Sequence, residues 1–445
     1  MVRPLALALL LAPGLAHASS LDVGTFYRMR ALSYKNLNLS AQGNNHSFIS
    51  QNAQLSLFVR GIVPQPELPE QTMDVGLALR GVGVAGSTTP LQAPFDRIGE
   101  NYPNTSFVPY IENAYVKLRQ AWGYPIDATF GQQSFTLGSG LLLSDDGAGM
   151  AGVHIMGSLP FWDMKAGTFI FQPRNSQGAP ANSLMVYGFM VELPTDGMWQ
   201  LNQLVEKDKA PMPVAGGIPV NVATRYFTSL RYQLNAGPFV FDGEAAIQRG
   251  SAHPGGPSAL NPTGSRILFQ GDAQVVRAKW RQSFARVGEG IARISFSRGS
   301  GFSGKTATTD ESFFPSHGRR YDGLERSGFG EFFGATPYDG FGGQSTATAS
   351  GLPQNLHGIQ TVGFGFTPPA WRGITLDLDY FLFQAERNTN GPARSLGQEY
   401  DVRLRYNVRD KLSFSASMAT FKAGKALNPG GPTARRYAFE VTGRF

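Results

Sequence analysis

The chain has 445 residues, no cysteine, 54 glycines, 12% aromatic residues and a formal net charge of +7. Absence of cysteine excludes a disulfide-stapled fold for an exported chain. No stretch holds the ~18 to 20 apolar residues of a membrane helix, and a mean hydropathy slightly on the polar side fits strands whose two faces differ.

Residues 1–18 read as an export signal: Arg3 gives a positive start, Leu5 to Ala12 an apolar run, and Ala16-His17-Ala18 a small-x-small cleavage site, so the mature chain is expected to start at Ser19. Alternation of period two begins at once. In 21–34, Val23, Thr25, Tyr27 and Met29 oppose Asp22, Arg28 and Arg30. In 48–60, Ala53, Leu55, Leu57 and Val59 oppose Asn52, Gln54, Ser56 and Arg60. In 72–81, Met73, Val75, Leu77 and Leu79 oppose Asp74 and Arg80, and in 110–119, Ala114, Val116 and Leu118 oppose Asn113, Tyr115, Lys117 and Arg119. Further strands are expected at 124–135, 151–158, 162–172, 183–193, 197–206, 222–234, 238–248, 266–283, 288–298, 355–367, 373–386, 396–408, 411–422 and 434–445. In 396–408, Tyr400, Val402, Leu404 and Tyr406 alternate with Glu399, Asp401, Arg403, Arg405 and Asn407. The chain ends on Tyr437, Phe439, Val441 and Phe445 opposite Arg436, Glu440 and Arg444.

Strands with one apolar and one charged face, repeated to the end of the chain, predict an all-β fold. It is a single transmembrane antiparallel β-barrel of about 18 strands, with 16 as the lower count. Residues 19–445 form that one domain. Connectors alternate in length. Pro194 to Gly197, Asn235 to Pro238, Pro368 to Gly373 and Arg409-Asp410 are short, whereas 83–109, 207–221, 249–265 and 299–354 are long. Short periplasmic turns and long extracellular loops are the outer-membrane arrangement, and an even strand number puts both termini on the short-turn side. The Pro-rich connector 61–71 is a longer periplasmic turn. Loop 299–354 carries Phe313, Phe314, Phe329, Phe332, Phe333 and Phe341 among glycines; so many aromatics are expected to fold inward and narrow or gate the lumen.

The polar faces, taken as inward, hold Arg28, Arg30, Arg60, Arg80, Lys117, Arg119, Lys165, Arg225, Arg231, Arg277, Lys279, Arg281, Arg293, Arg403, Arg405, Arg436 and Arg444. The acids on those faces are fewer: Asp22, Asp74, Asp127, Asp163, Asp242, Glu244, Asp272, Asp377, Asp379, Glu399, Asp401 and Glu440. A guanidinium grips carboxylates through a planar fork, so a net basic lumen points to an anion path. The competing use of each arginine is to pair with a cross-strand acid and brace the wall. Partners expected for such a barrel are a small anionic solute or an anionic polysaccharide, the lipid bilayer with its lipopolysaccharide, and the assembly machinery reading Phe445. Nucleic acid is not among them, since an exported chain rarely meets it. Enzyme readings have little support: His154 with Ser158 and Ser316-His317 are the close Ser/His pairs, without a third group, and no cofactor motif is present. Asp145-Asp146 and Asp310-Glu311 are weak calcium candidates.

Several stretches resemble the alginate export family of outer-membrane barrels. Asn113-Ala114-Tyr115-Val116-Lys117-Leu118-Arg119 is followed by Gly131-Gln132-Gln133-Ser134-Phe135 and Gly138-Ser139-Gly140. Arg298-Gly299-Ser300-Gly301 leads to Phe313-Phe314-Pro315. Leu396-Gly397-Gln398-Glu399-Tyr400-Asp401 is followed by Leu412-Ser413-Phe414 and Phe421-Lys422-Ala423-Gly424. Gln132 stands where that family has arginine, and Phe302 where it has aspartate. The resemblance implies an eighteen-stranded monomer with an arginine-lined pore, including Lys117, Arg119, Arg403 and Arg405, that passes a polyuronate or another anion. A general porin of low selectivity, for which a trimer is the expected state, and an enzyme or adhesin with a plugged lumen are the alternatives.

Overall fold

The structure is a computed structural model and describes residues 20–39, 44–86, 93–145, 147–160, 163–173, 184–209, 220–257, 261–306, 308–318, 320–326, 328–342, 350–408 and 411–445. The expected export signal, Asp146 and the Arg409-Asp410 turn lie outside these residues.

Eighteen strands form one closed sheet, numbered here in chain order. They are β1 Ser20–Lys35, β2 His46–Ile62, β3 Thr72–Gly86, β4 Tyr110–Arg119, β5 Ile126–Gln133, β6 Met150–Ser158, β7 Lys165–Gln172, β8 Leu184–Pro194 and β9 Met198–Asp208. The rest are β10 Val220–Ala236, β11 Phe239–Pro254, β12 Asp272–Phe284, β13 Gly288–Gly299, β14 Leu356–Thr367, β15 Ile374–Asn388, β16 Ser395–Val408, β17 Leu412–Ala423 and β18 Ala434–Arg444. Each pairs antiparallel with its neighbours in sequence, and β1 pairs with β18 from Phe26↔Arg444 to Lys35↔Arg435. The last residue completes this seam, for Phe445 N donates to Thr25 O at 2.9 Å and Thr25 N to Phe445 O at 2.8 Å. Closure leaves no row of unpaired N–H and C=O groups, the condition for placing strands in hydrocarbon.

The outer face carries the apolar set that alternation assigned to it. Leu55, Val75, Ile170, Leu201, Ile294, Val402 and Leu404 are exposed, as lipid-facing side chains are. Beside the short turns stand exposed Trp122, Tyr124, Phe239, Trp280 and Trp371, an interfacial aromatic girdle. One expectation about the faces fails. The strand expected at 266–283 breaks near Gly271 into a short piece, Ile267–Phe269, and the barrel strand β12. Within β12, Asp272 is an odd number of residues from the inward Arg277, so it stands opposite Ile247, whose side chain faces lipid, and binds Arg298 at 2.7 Å at the long-loop rim rather than in the lumen. Asp163 lies in the turn before β7 and is exposed.

The hydrophobic core sits inside the long-loop half of the barrel. The described residues of three long connections, 93–109, 134–149 and 300–355, turn inward and meet there. Phe95, Leu142, Phe313, Phe332, Phe333 and Phe341 from these loops are buried against Tyr34 of β1, Phe383 of β15 and Phe421 of β17. Phe333 stacks on Phe421 with ring centres 5.0 Å apart and lies 4.9 Å from Phe383. Wall positions in this half are aromatic because they face loop, not water. Phe333→Ala is expected to cost about 3–5 kcal/mol, measured as a lower thermal midpoint of the detergent-solubilised barrel; a loss below about 1 kcal/mol is incompatible with this packing.

A basic cavity closed by the loop

Below the aromatic core, toward the short turns, lies a cavity of about 590 Å³. Its wall comes from β16, β17, β18 and β1, and its roof from Leu324, Glu325, Arg326 and Glu331 of the long loop. Alternation delivers the side chains. Arg403 and Arg405 of β16, Arg436 and Arg444 of β18, and Arg28 and Arg30 of β1 share the inward register. The strand between β16 and β18 presents Ser413, Ser415 and Ser417. Small residues there leave room for long ones from both neighbours, since Arg403 stands opposite Ser417 and Arg405 opposite Ser415. With Lys411 and Arg326, eight cationic side chains line the cavity against three carboxylates, Glu325, Glu331 and Glu440, an excess of five positive charges.

The roof is fastened from the wall. Glu399 of β16 accepts three backbone N–H bonds from the loop, from Glu331 and Phe332 at 2.6 Å and from Phe333 at 3.0 Å. Asp401 accepts a further bond from Glu331 N at 3.0 Å. Successive amides converging on one carboxylate make an anion-binding nest, and Gly330, at φ +83°, supplies the left-handed residue before it. The Glu331 side chain then points back at the arginines. It meets Arg403, Arg436 at 3.0 Å and Arg326 at 3.3 Å. Glu325 pairs with Arg28 in the same way, and Arg30 binds Glu440 at 2.5 Å. Arg405 reaches Asp377 at 3.3 Å and keeps 41% of its side chain exposed, so water enters from the short-turn end. Deeper in the loop, burial pushes the Asp322 carboxyl up, although it accepts from Leu324 N at 2.7 Å and Asn101 Nδ2 at 2.7 Å.

The other residues singled out from sequence are placed elsewhere on the inner wall. Arg60 pairs with Asp22 at 2.9 Å near the short-turn end, both about half exposed. Lys117 binds Asp127 at 2.7 Å and Arg119 binds Asp74 at 2.8 Å. Three arginines hold inward loops. Arg80 joins Glu112 at 2.8 Å and Gly147 O at 2.9 Å. Arg225 forks onto Glu206 at 2.7 and 2.8 Å and donates to Phe314 O at 2.8 Å. Arg231 forks onto Asp242 at 2.8 and 2.9 Å and reaches Gly138 O at 2.7 Å. All ten candidates pair with a carboxylate, and Arg28, Arg30, Arg403 and Arg405 among them also line the basic cavity. Phe313, Phe332 and Phe333 are buried and Phe314 is half-buried in the loop core.

Sequence reasoning missed Glu325, Arg326 and Glu331. The available signal was a few charged residues inside an aromatic stretch, which need partners once the stretch is buried. It also missed the inward course of 134–149, where Ser139 caps Glu244 at 2.7 Å through its N–H. The Ser316-His317 pair belongs to this loop packing: Ser316 N donates to Leu142 O at 3.1 Å and His317 Nδ1 lies 2.7 Å from Ser144 O. Asp310 and Glu311 accept from Ser312 N and Ser303 N, both at 2.8 Å.

No family model and no curated protein matches the chain. Solved structures do. The Pseudomonas aeruginosa protein OccK2, crystallised with glucuronate, matches with a TM-score of 0.54 at 10% identity, over 96% of this chain and 98% of that one. Acinetobacter baumannii OccAB1 gives 0.55 at 12% identity, over 96% and 97%. Pseudomonas aeruginosa OpdK with vanillate gives 0.51 at 12% identity, over 95% and 98%. The likeness does not single out the alginate export family that the motifs resemble. At these identities it is a likeness of fold, and with the closed strand order, apolar belt and aromatic girdle it gives the conclusion that the chain is built as an outer-membrane β-barrel.

Proposed function

We propose that the protein is a channel for small anionic solutes, carboxylates first among them. The observation that carries this reading is the excess of five positive charges around a cavity of about 590 Å³. A low-dielectric wall with one sign of charge concentrates the opposite ion. Separate guanidiniums offer stepping points, so that no single site holds the solute too tightly to leave. Two of the solved neighbours carry glucuronate and vanillate, both carboxylates. A polyuronate, which the motif resemblance implies, bears the same group on each sugar and is the second reading. The aromatic core filling the long-loop half favours the small solute, since a polymer needs a continuous bore. The same proposal keeps residues 1–18 as an export signal, Phe445 as the assembly signal, lipopolysaccharide around the rim and one chain as the working unit.

Swelling of proteoliposomes tests it. Glucuronate is expected to enter faster than glucose, a neutral sugar of similar size, and a uronate trimer more slowly than either. Equal rates for glucuronate and glucose indicate a general diffusion pore. No swelling with any solute returns the barrel to the plugged-lumen reading.

A further inference from the structure

We propose that Glu331 is a tethered occupant of a carboxylate site built from Arg326, Arg403 and Arg436, and that an incoming carboxylate takes its place. The channel reading supplies the incoming solute, and to that extent the inference rests on it. The site itself rests on geometry. Three guanidiniums meet one carboxylate, which leaves the cluster two positive charges in excess. All four side chains border the cavity, so a dissolved carboxylate reaches the same donors.

Bracing is the rival use of Glu331, and the backbone argues against it. The loop at 331–333 is already held by Glu399 and Asp401 through four N–H bonds. The Glu331 side chain is therefore free to leave the arginines without the roof detaching. A solute carboxylate that replaces it keeps every guanidinium satisfied and exchanges one charge-assisted pair for another. Glu325 against Arg28 repeats the arrangement at the next wall position. The consequence is a site whose apparent affinity is lowered by its own loop, so that a solute is gripped weakly enough to pass.

An occupied site binds a competitor with its intrinsic constant divided by the fraction of time the site stands free. Calorimetric titration of glucuronate into the folded, detergent-solubilised full chain reads that constant. Glu331→Gln is expected to tighten binding about tenfold or more. Glu331→Asp, whose shorter arm withdraws the charge, is expected to fall between the two and serves if the glutamine variant fails to fold. Glu440→Gln removes one negative charge from the same cavity, and equal tightening there would overturn the proposal in favour of a general charge effect. Unchanged or weaker binding by a folded Glu331→Gln protein overturns it directly. The reversal potential of the unaltered barrel separates this result from the channel reading. Anion selectivity without tightening removes the tether and keeps the channel, whereas tightening without anion selectivity keeps the site and removes the channel.

Discussion

Glu399→Ala is expected to raise the single-channel conductance several-fold and to lower the thermal midpoint of the barrel. Glu399 is fully buried and accepts the N–H groups of Glu331, Phe332 and Phe333. Alanine leaves these donors without that acceptor in a water-poor site, at about 1–3 kcal/mol for each group stranded. Glu331 N retains Asp401, so the loss is concentrated on Phe332 and Phe333, the two rings that stack on Phe421. Release of this segment opens the roof of the basic cavity. Glu399→Gln keeps the shape and one acceptor oxygen, and is expected to give an intermediate conductance. Planar-bilayer recordings with a melting curve on the same preparation check both parts. Unaltered conductance and midpoint in the alanine variant would show that Glu399 does not hold the loop.

Arg403→Ala combined with Arg405→Ala is expected to reduce the chloride-over-potassium permeability ratio several-fold at low salt. The pair removes two of the eight cations around the cavity and exposes Asp377, the partner of Arg405. Glu399 and Asp401 still hold the 331–333 amides, so the roof stays in place and the change is electrostatic. Its salt dependence identifies it: the effect is large at 0.1 M, where the Debye length is about 10 Å, and small at 1 M, where it is about 3 Å. A ratio unchanged at 0.1 M places the selectivity elsewhere in the lumen. A ratio that falls equally at both concentrations points to altered shape.

The barrel was legible in the sequence because alternation is a local property. Each strand carries its own record of which face meets lipid, and the eighteen strands fall near the expected spans. The exception at Asp272 follows from alternation itself: it lies in one regular strand with Arg277 at an odd separation, so it faces away from the inward arginines. What happens inside is not local. Arg225 was readable as an inward cation, but its bond to Phe314 O joins residues 89 apart. Glu399 and the 331–333 amides are 66 to 68 residues apart, and no periodicity links them. The family-like stretches coincide with such contacts. Leu396 to Asp401 contains the clamp on the roof, Phe313-Phe314-Pro315 lies under Arg225, and Gly138-Ser139 meets Arg231 and Glu244. Those motifs mark where loops are fastened to the wall, which explains why composition and alternation alone did not single them out.

The anion preference proposed for the open path is tested by the reversal potential of the purified barrel in a planar bilayer under a potassium chloride gradient. A potential of the sign set by chloride, shifting further when glucuronate replaces part of the chloride on one side, is the predicted result. A potential near zero, or one of the sign set by potassium, contradicts it.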